Sequence, residues 1–76
     1  MIEPYKTSDI ILAACLKVSG ANLESIKRTD TGKGVFIFTN VSEEYLSQYD
    51  LGKVLVEPVN FNNAVKQLTT SVRRMG

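Results

Sequence analysis

The chain has no histidine and no tryptophan, and only one cysteine and two prolines among 76 residues. Each scarcity excludes something. Without histidine, no side chain changes charge near neutrality at its ordinary pKa, so a general base would have to be a carboxylate raised, or a lysine lowered, by burial. The lone Cys15 forms no disulfide within the chain, and with no histidine beside it there is no set of zinc ligands. Neither sign of charge dominates: nine bases face eight acids, for a net +1. That balance, with 43% hydrophobic residues, excludes intrinsic disorder. The longest uninterrupted apolar run, residues 10–16, is far short of the ~20 residues that cross a bilayer. Met1-Ile2-Glu3-Pro4 lacks a basic n-region and an h-region, so no signal peptide is expected. These absences lead to the expectation of a cytoplasmic protein with no cofactor, no metal and no membrane association.

What remains suffices for a single small domain spanning residues 1–76. At 8.4 kDa, surface scaling gives roughly 4,600 Å² folded against about 12,200 Å² unfolded. If about 60% of the removed area is apolar, ~25 cal/mol per Å² contributes on the order of 115 kcal/mol. Ordering the chain at ~1.5 kcal/mol per residue costs about the same. A balance near zero calls for efficient packing or for surface buried against a partner.

Residues 7–20 read as a helix, capped by Thr7 or Ser8, with Asp9 favourably placed against the dipole. Its apolar sector is broad: Ile10, Ala13 and Ala14 form one row, Ile11, Cys15 and Val18 another, and Leu12 and Leu16 complete it. Lys17 alone interrupts it, and Gly20 suits the left-handed position after the helix. Residues 22–39 read as a β-hairpin. Leu23 and Ile26 are out of phase by one residue, which a bulge reconciles; residues 30–34 form the turn, and Val35-Phe36-Ile37-Phe38 is the strongest strand. Asn40-Val41-Ser42-Glu43 reads as a capping box opening a short helix to about Tyr49. Residues 53–57, centred on Val54-Leu55-Val56, read as a short strand halted by Pro58. Pro58 then opens a last helix, about 58–74, whose stripe is Phe61, Val65, Leu68, Val72 and Met75. The expected fold is α+β, a small antiparallel sheet of hairpin plus third strand packed by three helices, in the order α-β-β-α-β-α.

The opening Thr7-Ser8-Asp9-Ile10-Ile11-Leu12-Ala13-Ala14-Cys15-Leu16 resembles that of an uncharacterised small-domain family encoded by bacteria and their phages. Its members resemble the chain in the pattern Thr-Ser-Asp-x-x-Leu-Ala-Ala-x-Leu. Further matches are the strand Val35-Phe36-Ile37-Phe38, then Val56-x-Pro58 with Phe61, Asn63 and Leu68, so that the resemblance covers about residues 5–70. Cys15 and Ala21 stand where members often carry aromatics, which implies repacking of the first helix. The resemblance implies the fold and a phage or prokaryotic context, and it carries no assigned activity.

Candidate chemistry is sparse, and the expectation is that the protein is not an enzyme and has no catalytic residue. Glu43-Glu44 are adjacent but point about 100° apart on a helix, and capping accounts for Glu43. Cys15 has no histidine to activate it and sits among apolar neighbours, as a buried inert thiol does. Thr31-Gly32-Lys33-Gly34 joins two strands, whereas a P-loop leads into a helix. The last helix carries Lys66, Arg73 and Arg74 with no acid between residues 58 and 76, a candidate nucleic-acid contact. Basic residues near a helix C-terminus are also expected from the dipole alone. Tyr45 and Tyr49, at i and i+4, are either stacking or interface anchors or an edge shield for the sheet. Leu68, Val72 and Met75 are candidate interface residues with them, because a helix of about 25 Å outreaches strands of ~17–20 Å and should overhang at Val72 and Met75. The leading expectation is a self-associating interaction domain, a homodimer formed partly through the last helix; the alternative is an accessory nucleic-acid-binding protein.

Overall fold

A computed structural model describes residues 4–74. It contains β1 (Tyr5–Thr7), α1 (Ile10–Ser19), β2 (Asn22–Arg28), β3 (Gly34–Thr39), α2 (Glu43–Asp50) and α3 (Pro58–Arg74). The three strands form one antiparallel sheet in the order β1-β3-β2, with the strongest sequence strand at its centre. The α+β class, the three helices and the hairpin-plus-one sheet are as the sequence leads one to expect. The third strand is not where the sequence put it.

That strand is β1, with Tyr5, Lys6 and Thr7 opposite Phe38, Ile37 and Phe36. Residues 53–57 belong to no sheet among the described residues. The element order is therefore β-α-β-β-α-α. With β1 and β2 on its two sides, β3 has no edge left to offer, and Val54 and Val56 instead line a hollow with Ile11 and Cys15 of α1. Placing a strand at Tyr5–Thr7 also moves the helix start. Thr7 belongs to the ladder and its Oγ1 accepts from the Asp9 amide at 3.1 Å, so Asp9, not Thr7 or Ser8, is the cap. The Asp9 carboxylate oxygen Oδ1 accepts from the amides of Ile11 at 2.9 Å and Leu12 at 3.3 Å. At the other end Gly20, with φ 104°, lets the Ala21 amide reach back to the Leu16 carbonyl at 3.0 Å.

The hairpin carries the bulge that the phase slip requires: Leu23 pairs with Phe38 and Ser25 with Ile37, leaving Glu24 as the extra residue. Its turn runs from Thr29 to Lys33, with the Gly32 amide donating to the Thr29 carbonyl and Gly32 itself at φ 83°. Phe36 and Phe38 point into the core with Leu12, Ala13, Ala14, Leu16, Ala64 and Leu68. Pleating turns Ile37 to the other face, where its cross-strand neighbours are Lys6 and Ser25. It is only 8% exposed there, while Val35 on the same face is half-buried, so the second face of the strand is covered in part.

α2 starts later than a capping box at Asn40 requires. Val41 is buried in the core, the chain turns sharply at Asn40 with φ 61°, and Ser42 becomes the cap, accepting from the Tyr45 amide at 3.3 Å. Glu43 then lies in the first turn, favourable to the dipole but too close to reach back as the third helical residue would. α3 begins at Pro58 as expected, with Glu57 accepting from the Asn60 amide at 2.6 Å. It lies along α1 and reaches β2.

Candidate functional site

Three surfaces gather the residues with chemical potential. The first is the seam between α1 and α2. Tyr45 and Tyr49 stack one turn apart and both point at α1: the Tyr45 hydroxyl donates to the Cys15 carbonyl at 3.1 Å, and the Tyr49 hydroxyl to Asp9 Oδ2 at 3.2 Å. Asp9 thus caps one helix with one oxygen and holds a second helix with the other. Both tyrosines pack against the core. Burial pushes both phenols up, Cys15 adding to the shift of Tyr45 and the Asp9 charge to that of Tyr49. Cys15 lies beneath them, buried, and burial likewise pushes its thiol up despite the neighbouring Tyr45 hydroxyl, which pulls it down. A thiol raised in this way stays protonated at neutral pH and is a poor nucleophile.

The second surface is a groove of about 530 Å³ between the C-terminal halves of α1 and α3. Lys17, Lys66, Gln67, Thr70, Ser71 and Arg74 line it, and every one is polar. Of the three cations singled out on the last helix, Lys66 and Arg74 meet here. Arg73 does not: it borders a separate depression with Ser8, Ile10, Gly34, Phe36, Thr69 and Val72. Lys17, which as a sequence feature only breaks the apolar sector of α1, is the one lining residue that α1 contributes to this open groove. Its position as the single polar interruption of that sector was the available signal.

The third surface is apolar and lies around the connection from α2 to α3. Val54 and Val56 turn inward and, with Ile11, Cys15, Tyr49, Gly52 and Phe61, line a shallow hollow of about 250 Å³. Leu55 between them is 95% exposed, and Leu51, Val59 and Ile11 are exposed as well. Among the described residues, no hydrogen bond joins the backbone of Val54, Leu55 or Val56 to another segment.

The remaining candidates from the sequence fall elsewhere. Leu68, only 1% exposed, is part of the chain's own core. Val72 is half-buried and seated over the turn end of the hairpin: a Cβ built on Gly34 would lie 2.7 Å from its Cγ2. The last helix therefore does not overhang the sheet at Val72, which packs on the first residue of β3; Met75 lies outside the described residues. Glu43 and Glu44 are both exposed on the first turn of α2. The Gly32 carbonyl accepts from Arg28 Nε at 3.3 Å, so the Gly-Lys turn is held by its own strand. Among the described residues there is no group of three or more His, Cys, Asp or Glu that could hold a metal ion, and no helix long and apolar enough to cross a membrane.

No curated protein and no solved structure matches the chain. A family model does, over residues 3–73, which takes in all six elements of the fold from β1 almost to the end of α3. The chain therefore belongs to the family described as a domain of unknown function, DUF5659.

Proposed function

We propose that this protein is a non-enzymatic interaction domain that self-associates through the segment carrying Val54, Leu55 and Val56. The observation that carries this reading is a strand-type sequence left outside the sheet, with no backbone partner among the described residues, and topped by a leucine that is 95% exposed. Unpaired backbone beside exposed β-branched and aliphatic side chains is a template for strand pairing with another chain. A second copy supplies a matching segment. Antiparallel pairing about a two-fold axis near Leu55 satisfies both backbones and brings Leu51 and Val59 of the two copies towards one contact. The near-zero balance of a core this small favours such added burial.

The non-enzymatic part rests on the side chains. The thiol of Cys15 is buried and held protonated. The adjacent carboxylates Glu43 and Glu44 lie in solvent at a helix start. The setting is bacterial or phage, which rests on the resemblance of the opening motif, and cytoplasmic, which rests on composition.

Size exclusion with light scattering from micromolar to millimolar concentration tests the reading. The expected result is a mass that rises to two chains, and a Leu55→Asp protein that stays at one chain with an unchanged circular dichroism spectrum. Leu55 is so exposed that its replacement leaves the fold intact, so the variant reports on association alone. A one-chain mass for the parent protein over the whole range overturns the proposal.

A further inference from the structure

The groove between α1 and α3 is unused by the association surface and has its own chemistry. Lys17 of α1 borders it on one side and Lys66, Gln67, Thr70, Ser71 and Arg74 of α3 on the other, and neither helix holds an acid. The two helices carry Lys17, Lys66, Arg73 and Arg74; the other five bases and all eight acids lie elsewhere in the chain. A nearly neutral protein therefore has a positive face with no acid among the described residues that line it. Such a face concentrates anions by its field before any contact forms.

We infer that this groove binds the sugar–phosphate backbone of duplex nucleic acid, without reading its sequence. The six lining residues are two lysines, an arginine, a glutamine, a threonine and a serine. These are the side-chain types that contact phosphate oxygens in protein–DNA interfaces. Lys66, Thr70 and Arg74 follow one another at four-residue intervals, so their donors line a row about 12 Å long at ~1.5 Å rise per residue. A row suits a polyanion with regularly spaced charges; a small anion is held by donors converging on one point. No aromatic side chain lines the groove. Base stacking on aromatic rings is the main hold that single strands offer, so a duplex is the better occupant. The helix dipole explains Lys17, Arg73 and Arg74 individually, since each lies in a last helical turn. It does not explain Lys66 in the middle of α3, nor why Lys17 of α1 borders the same groove as Lys66 and Arg74 of α3.

Fluorescence anisotropy with a labelled 20-base-pair duplex of arbitrary sequence, from 20 to 200 mM salt, tests this. Three cations on phosphate give a log–log salt slope of about −2.7 for B-form DNA. Lys66→Gln and Arg74→Gln should each weaken binding about 3- to 10-fold at low salt and reduce the slope by about one. Arg73→Gln, which removes the same charge outside the groove, should change affinity less than 2-fold. The parallel arms are the matching single strand, polyglutamate and vesicles containing phosphatidylserine. The inference is overturned by no duplex binding at 20 mM salt. It is also overturned by equal losses for Arg73→Gln and Lys66→Gln, or by tighter binding to any of the three alternative polyanions.

Discussion

The seat of α3 on the hairpin makes the sharpest mutational prediction. Gly34 opens β3, and a Cβ there would stand 2.7 Å from Val72 Cγ2 and 3.3 Å from Cγ1. Its φ is not in the left-handed region, so the cost of Gly34→Ala is steric and not conformational. Overfilling a packed contact in this way costs about 1–3 kcal/mol, which in a domain of this size lowers Tm by roughly 4–8 °C per kcal/mol. Val72→Ala alone removes two methyl groups from a half-buried side chain, about 1 kcal/mol at ~0.8 kcal/mol per fully buried carbon. In the double variant the alanine at position 34 fills the space the valine left. It also restricts the unfolded chain, but that gain is the same in the single and the double variant and cancels from the cycle. The pair should therefore be less destabilised than the sum of its parts, by about 1–3 kcal/mol of coupling, the steric cost that the smaller side chain relieves. Urea unfolding of the four proteins at one concentration supplies the cycle. Additivity within ~0.5 kcal/mol would refute the contact, and with it the placement of the end of α3 over the hairpin turn.

Three further outcomes follow from the seam between α1 and α2. Asp9→Ala removes both the cap and the acceptor for Tyr49 and should cost about 1–2 kcal/mol in thermal or urea unfolding, whereas Asp9→Asn, which can still cap, should cost less than about 0.5 kcal/mol. Burial raises Cys15, Tyr45 and Tyr49 in the folded state. The unfolded chain then loses its protons first, from about pH 8.5 at the thiol and about pH 10 at the phenols. Stability is thus intact below that range and falls as pH rises through it; urea midpoints at increasing alkaline pH should show the decline, and Tyr45→Phe with Tyr49→Phe should flatten its upper part. Labelling of Cys15 by a thiol reagent should be slow in the folded protein and fast in denaturant, and Cys15→Ser should cost about 1–3 kcal/mol by burying a hydroxyl; rapid labelling of the native chain would contradict the packing of α2 on α1.

Most of the fold was legible because its signals are local. The phase slip between Leu23 and Ile26 demanded the bulge, Gly20 marked the end of α1, and Pro58 marked the start of α3. What was not legible depended on competition between distant segments. Residues 5–7 and 53–57 are both short and rich in strand formers, and which one pairs with β3 is decided by tertiary packing. A three-residue strand is too short to show alternation, and Thr7-Ser8-Asp9, which begins on its last residue, is as good a cap signal as a strand ending. Asn40 lost the cap to Ser42 because Val41 is needed in the core, a demand that a capping pattern does not express. The candidate sites failed and succeeded for the same reason. Lys66 and Arg74 share a face by helical spacing, yet Lys17 joins them only because α1 and α3 pack side by side. Tyr45 and Tyr49 share a face too, but their hydroxyls are committed to α1.

Amide hydrogen exchange at Val54, Leu55 and Val56, followed as a function of protein concentration, tests the central proposal most directly. Strand pairing between two copies requires these amides to gain protection as the two-chain species fills, and to lose it in Leu55→Asp. Exchange at unprotected rates, under conditions where scattering reports two chains, would contradict pairing through this segment.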